Sequence, residues 1–287
     1  MSTVLLVAHH ERVEAAALAR TATEWLAAHG HSAFMCAEDA AALHLPAMAT
    51  GQAPGDADLA VSLGGDGTML RTVKLVGGAG TPIIGVNVGL LGYLTEVEPD
   101  ALCPALQRWF DGPEAGEWRL DERMLLDVAV AARGDQPAAV FTALNEGVVE
   151  KQESGHTVRL LVSIDGTPFT SYAADGLILA TPTGSTAYSM SARGPVVSPR
   201  LRAVLLTPVS PHMLFDRTLV LDPGESVEVE VLGHRAATLS IDGQPAATLE
   251  EGDRVTVAPS SQVARFVRFG ERRFHHILKA KFGLTDR

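Results

Sequence analysis

Residues 64–68 read Gly-Gly-Asp-Gly-Thr, directly behind the apolar run Leu59–Leu63 and directly ahead of a helical pattern, Met69, Leu70, Val73 and Val76. No other stretch constrains the fold so tightly. A strand that breaks into glycines and at once opens a helix leaves several backbone N–H groups unpaired. Phosphate oxygens bind well to such an array. The one ionisable side chain in the loop is Asp66, an acceptor rather than a cation, so the loop suits chemistry beside a phosphate as well as grip. The Walker A and G-x-G-x-x-G patterns do not fit. A plainer reading also stands: a strand-to-helix turn whose glycines supply positive φ and whose Asp caps the helix.

The first third of the chain alternates strand and helix. Residues 3–8 form an apolar strand, residues 11–29 carry Val13, Ala17, Leu18, Trp25 and Leu26 at helical spacing, and Gly30 supplies a C-terminal cap. Residues 32–36 are the next strand. Residues 40–56, with Pro46, Gly51, Pro54 and Gly55, read as a poorly ordered connection. Beyond the glycine loop and its helix, residues 82–88 make a β-branched strand that runs into a second glycine loop, Gly89-Leu90-Leu91-Gly92-Tyr93. Uninterrupted apolar strands between helices predict a parallel sheet covered on both faces. Ligands of such sheets sit beyond the carboxyl ends of the strands, where both glycine loops fall.

After Leu120 the texture changes. Residues 124–131, 140–143, 158–164, 177–180, 203–206, 226–232, 237–241 and 255–258 read as short strands, with turn pairs at Asp165-Gly166, Asp242-Gly243 and Gly252-Asp253. The expected architecture is therefore an α/β N-terminal domain with a Rossmann-like parallel sheet (residues 1–120) and a mostly-β, β-sandwich-like domain (residues 121–262). A C-terminal segment (residues 263–287), strand-like at 265–269 and helical at 272–282, is expected to pack on the first domain.

Composition narrows the function classes. The 287 residues are 46% apolar and 20% charged, enough for two packed cores. A formal net charge of −11 argues against a nucleic-acid partner and implies that a polyphosphate ligand arrives with a divalent metal. Cys36 and Cys103 stand alone and far apart, which fits a reducing compartment and excludes a thiolate metal cluster. His9-His10, His29/His31 and His275-His276 have no partners at ligand spacing, so no protein-held metal is expected. No run approaches eighteen apolar residues, and Met1–Val7 reads as a strand without a basic lead. The expectation is a cytoplasmic protein with no membrane partner.

A second constellation lies about a hundred residues after the first. The strand at 177–180 runs into Thr181-Pro182-Thr183-Gly184-Ser185-Thr186 and then a short helix with Tyr188 and Met190. This is again strand, polar turn and helix start, now lined with hydroxyls: six Thr, Ser and Tyr residues within residues 181–189. Such a lining suits an amide, a base edge or a phosphate. Asp175-Gly176, just before it, does not separate a convincing strand pair, because residues 171–174 are a weak partner. A third piece is Asn145-Glu146, ending the strand at 140–144. A carboxylate there is suited to accept two O–H bonds from a vicinal diol, and the amide to read a base edge.

With these three pieces in view, the chain resembles the NAD kinases over nearly its whole length. The resemblance rests on Gly64-Gly65-Asp66-Gly67-Thr68, on Leu144-Asn145-Glu146, and on Asp175-Gly176 through Thr183-Gly184-Ser185-Thr186-Ala187-Tyr188-Ser189. Supporting stretches are Gly85-Val86-Asn87, Gly92-Tyr93-Leu94-Thr95, residues 123–126 and residues 208–212. The third motif is highly specific; the first is shared with diacylglycerol and sphingosine kinases. The resemblance implies transfer of a phosphoryl group from ATP or inorganic polyphosphate, with Mg²⁺ or Mn²⁺, to the adenosine-ribose 2′-hydroxyl of NAD. Asp66 would be the general base; Gly64, Gly65, Gly67 and Thr68 would cradle phosphate. Asn145 and Glu146 would hold the adenine and ribose. Asp175, Thr183, Thr186, Ala187, Tyr188, Ser189 and Ser191 would line the dinucleotide pocket, with further contacts from Arg71, His156 and Gln244. The family's assemblies imply a homodimer or homotetramer. Two departures stand out: Leu90 where many members carry Arg, and Ala173 where some do, the latter relaxing discrimination between NAD and NADH. The alternatives are a lipid kinase of the diacylglycerol or sphingosine type, or a dinucleotide sensor without turnover.

Overall fold

The computed structural model describes residues 1–90, 92–131, 138–270 and 274–284. The chain divides into two compact units, Met1–Glu122 with Ala264–Arg287, and Arg123–Val263. In the first unit β1 (Thr3–Ala8), α1 (Val13–Ala28), β2 (Ser32–Phe34), α2 (Ala37–Ala42), β3 (Leu59–Gly64), α3 (Asp66–Val76), β4 (Pro82–Asn87) and α4 (Leu102–Phe110) follow in order. The strands are parallel in the order β2-β1-β3-β4. They are buried on both faces because period-two side chains alternate between two apolar layers. Val4, Leu6, Val61, Leu63, Ile84 and Val86 point into one core with Ala15, Ala19 and Leu26 of α1 and Leu102 and Leu106 of α4. On the opposite face Met69 of α3 packs over Gly85, where a Cβ would collide with its sulfur.

Residues 40–56 correct the expectation of a poorly ordered connection. Helix α2 buries Asp39 and Ala40, and Leu43, Leu45 and Met48 join the core. Pro46 and Pro54 each open a short 3₁₀ turn, at the position where a missing N–H costs nothing. Helix α4 was not anticipated, because its short apolar pattern sits between Pro99 and Gly112.

The second unit is a pair of antiparallel sheets. It contains β6 (Ala139–Ala143), β7 (Glu146–Lys151), β8 (Val158–Ile164), β9 (Thr167–Ala174), β10 (Gly176–Ala180), β11 (Val204–Val209), β12 (Leu219–Leu221), β13 (Val227–Leu232), β14 (Ala237–Ile241) and β15 (Gln244–Leu249), and a one-turn helix, α5 (Tyr188–Ser191). Two long strands, β5 (Arg119–Val130) and β16 (Arg254–Arg268), run across the unit boundary. One sheet has the order β12-β11-β10-β7-β14-β15; in the other, β16, β13, β8 and β9 are neighbours and β5 pairs with β6. Their inner faces share one core, including Val149, Leu177, Leu179, Leu206 and Leu239 against Leu160, Val162, Tyr172, Val229 and Val255. Beyond Ala264, β16 pairs in parallel with β4, and α6 (Phe274–Lys281) follows in the first unit. The helix expected at 272–282 is described from Phe274; residues 272 and 273 lie outside the described residues.

Strands β7, β9, β12 and β15 went unread in the sequence. Two of them share a physical reason. β9 and β15 each follow an Asp-Gly turn with both central φ angles positive (48° and 72°; 47° and 76°) and carry Pro as their second residue. Pro removes a ladder donor, the register slips by one residue opposite it, and both strands lie at sheet edges. Residues 171–174 therefore are a strand, with Tyr172 fully buried, but β9 pairs with β8 and not with β10.

Candidate active site

In the first unit the site is built at the carboxyl end of β3. Gly64 ends the strand, and a Cβ there would overlap the Thr68 hydroxyl, so the chain can turn this tightly only with glycine. Gly65 is the N-cap of α3, and Asp66 makes no capping bond to its own helix. That removes the plainer reading of Asp66 as a cap. Its carboxylate turns instead to the second glycine loop, accepting the Tyr93 N–H at Oδ2 and the Leu94 N–H at Oδ1, each at 2.9 Å. Gly92 permits this approach, since a Cβ there would overlap Asp66 Oδ1. Lys281 Nζ stands 3.9 Å from Asp66 Oδ2.

Beside the loop a cleft of about 510 Å³ is lined by Gly65, Gly67, Thr68 and Arg71 and by His9, His10 and Arg12. Arg71 is not a free surface charge. Its Nη2 bonds Asp39 Oδ2 at 3.0 Å and the Ala8 carbonyl at 2.5 Å, its Nη1 bonds Asp39 Oδ1, and His10 Nε2 lies 2.9 Å from that same oxygen. Asp39, which the sequence did not single out, is 1% exposed and anchors both side chains at the rim of the cleft.

In the second unit the turn after β10 docks on the segment between β6 and β7. Thr181 N–H and Oγ1–H bond the Asn145 and Leu144 carbonyls at 2.8 and 2.6 Å, and Gly184 packs on the Asn145 backbone where a Cβ would clash. Three of the six hydroxyls build the turn itself. Thr181 is one; Ser185 bonds the Pro182 carbonyl at 2.7 Å and accepts the Val197 N–H at 3.0 Å; Ser189, fully buried, faces Thr207 at 3.1 Å. The Ser189 hydroxyl is thus turned to the interior. Thr183 lies 3.4 Å from Arg123 Nη1 and Thr186 keeps a long contact to the Thr183 carbonyl, while Ala187 is partly exposed and Tyr188 and Ser191 are exposed.

Glu146 is the most perturbed group. Read in the sequence as ending the strand at 140–144, it instead opens β7 and is 5% exposed, with Oε2 buried and unpaired. Burial and the Asp242 carboxylate push its pKa up to about 8, partly offset by the Tyr188 N–H. Asp242 accepts the backbone N–H groups of Leu144, Asn145 and Glu146 at 2.9, 2.7 and 3.1 Å. Read in sequence only as half of a hairpin turn, it is the post on which Asn145-Glu146 stands. Asp175 pairs with Lys151 at 2.6 Å; with Glu150 and burial it raises the Tyr188 pKa. His156 and Gln244 are both exposed, Gln244 directly after the Asp242-Gly243 turn. Among the described residues no group of three or more His, Cys, Asp or Glu could hold a metal ion.

Solved structures set the class. The chain superposes over its full length, with 89% of the other chain covered, on a crystal structure of yeast NADH kinase complexed with NADH (TM-score 0.85, 24% identity). It also superposes over 99% of both chains on an NAD kinase from Archaeoglobus fulgidus in complex with ATP (TM-score 0.73, 24% identity). These likenesses define the fold: an α/β part followed by a mostly-β part. Family models then narrow it, the ATP-NAD kinase N-terminal domain over residues 4–114 and its C-terminal domain over residues 144–269. Relatives called NAD kinase include one from Heliobacterium modesticaldum, 40% identical over 98% of both chains, and one from Citrifermentans bemidjiense, 33% identical over the full length of both. The chain belongs to the NAD kinase family.

Proposed function

We propose that this protein phosphorylates the 2′-hydroxyl of the adenosine ribose of NAD, giving NADP, with ATP or inorganic polyphosphate as donor. The observation that carries the reading is Glu146: a buried carboxyl with one oxygen unpaired is costly unless a ligand satisfies it. A ribose diol offers two O–H donors to such an acceptor. Asn145, whose N–H is anchored on Asp242, would read an adenine edge. Thr183, Thr186, Ala187, Tyr188 and Ser191 line the remainder in this reading, together with Asp175; Arg71, His156 and Gln244 are expected to contribute less directly.

Asp66 is the general base in this reading. As the 2′-oxygen attacks phosphorus, its proton passes to the Asp66 carboxylate, a new O–P bond forms, and the bond to the leaving phosphate breaks with its electron pair. The two N–H bonds from Tyr93 and Leu94 hold the carboxylate in place and leave its remaining lone pairs for the substrate. The amides of Gly65 and Gly67 carry no charge, so in this reading the donor enters as its Mg²⁺ or Mn²⁺ complex. The small Ala173 leads us to infer that NADH is accepted as well. No described helix is long and apolar enough to cross a membrane; a cytoplasmic homodimer or homotetramer is the working assembly we infer.

The test is to incubate the purified protein with NAD and Mg²⁺ and either ATP or polyphosphate, and to measure NADP; NADH at matched concentration tests its acceptance. NAD binding with no NADP from any donor would establish a dinucleotide sensor instead.

A further inference from the structure

Lys281, the last residue of α6, ends beside the Asp66 carboxylate. Its Nζ is 3.9 Å from Oδ2 and 4.0 Å from the centroid of the Tyr93 ring. The separation exceeds a hydrogen bond, and the two side chains are 26% and 32% exposed. An ion pair this open contributes little to stability. The second glycine loop, residues 89–95, brings Asp66 two backbone N–H groups but no charged side chain. At the reacting carboxylate, then, an ammonium group leans on an aromatic face that positions it without consuming its N–H donors.

We propose that Lys281 is a donor-phosphate ligand, contacting the phosphoryl group in transfer. This rests on the reading of Asp66 as the base. A phosphoryl group must come close to a carboxylate here, and like charges at that range repel strongly. A compact cation within 4 Å of the carboxylate offsets the repulsion, and three N–H donors suit a phosphate's oxygens. In the transfer the ribose proton goes to Asp66 and the electron pair to the leaving phosphate. The terminal phosphate of a nucleoside triphosphate and that of a polyphosphate chain present the same chemistry.

The experiment compares wild type with Lys281→Met, Lys281→Gln and Lys281→Arg, titrating Mg-ATP and, separately, polyphosphate at saturating NAD. Lys281→Met and Lys281→Gln should raise the donor KM or lower kcat by about tenfold or more, Lys281→Arg should restore most of the loss, and the KM for NAD should stay within about twofold. A loss with both donors marks recognition of the shared phosphate; a loss with ATP alone would place Lys281 on the nucleoside and overturn the assignment. Unchanged donor kinetics, or a faster enzyme, would overturn it too, the latter revealing a plug. Binding of a non-hydrolysable ATP analogue, measured calorimetrically, should weaken in Lys281→Met but not in Asp66→Asn. If Asp66→Asn turns over normally while Lys281→Met loses donor affinity, the base assignment fails and the phosphate ligand stands.

Discussion

Asp242 Oδ1 accepts the Glu146 N–H at 3.1 Å, and the same carboxylate raises the Glu146 pKa. One residue thus positions the Glu146 carboxyl and adds to the burial that makes it reluctant to ionise. Asp242 manages this because its φ of 47°, in a two-residue turn, aims its side chain back at three consecutive backbone donors.

Glu146 should leave a pH signature on stability. Its folded pKa, about 8, lies above the ordinary value of 4.5, so its favourable contribution is complete below pH 4.5 and is lost as pH rises towards 8. Glu146→Gln has no such loss. Thermal melts of the unliganded proteins should coincide near pH 4.5 and diverge by about 5 °C or more in favour of the variant above pH 8. Wild-type NAD affinity should rise from pH 6.5 to 8.5 as the carboxylate forms, about tenfold, whereas Glu146→Gln should bind weakly and without that slope. A flat wild-type profile would remove the diol role.

Asp242→Asn keeps an acceptor and tolerates the left-handed backbone but removes the charge. The midpoint of the NAD-affinity profile should therefore move to lower pH, read by titration calorimetry across the same range. Asp242→Ala loses all three N–H bonds and should cost about 2–4 kcal/mol in denaturant melts. Equal behaviour of the two variants would show that charge and anchoring are not separable.

Asp66→Asn should cut NADP formation by about 10²-fold or more while leaving NAD affinity and melting temperature nearly unchanged. Single-turnover assays check the first and calorimetry the second. Turnover within about threefold of wild type would reduce Asp66 to a spacer.

Gly92→Ala places a methyl group against the Asp66 carboxylate and the Thr95 hydroxyl. The second glycine loop must retreat, and the two N–H bonds that hold the Asp66 carboxylate lengthen. kcat should fall by about tenfold with NAD affinity unchanged, a split that a merely destabilised protein would not show.

The division into an α/β part and a β part was readable from local pattern alone. Uninterrupted runs such as Leu59–Leu63 read as strands buried on both faces, and alternating runs such as Val227–Leu232 as half-buried ones, and both are strands. β9 and β15 escaped because Pro168 and Pro245 argue against a strand until the edge position that tolerates them is known. The hydroxyl-rich turn was over-read for a similar reason: spacing cannot tell that Thr181, Ser185 and Ser189 spend their hydroxyls on the turn's own backbone and neighbours.

The glycine loop, its lone acid and the switch of period near Leu120 are determined by the sequence itself, because each depends on φ, ψ and side-chain alternation over a few residues. Where the carboxylates point was decided only in three dimensions. Glu146 is buried, with Oε2 unpaired, where a turn 96 residues later closes over its backbone, and Asp66 is held by a loop 27 and 28 residues downstream. Desolvation and through-space charge follow distance in the fold, and distance along the chain does not encode them.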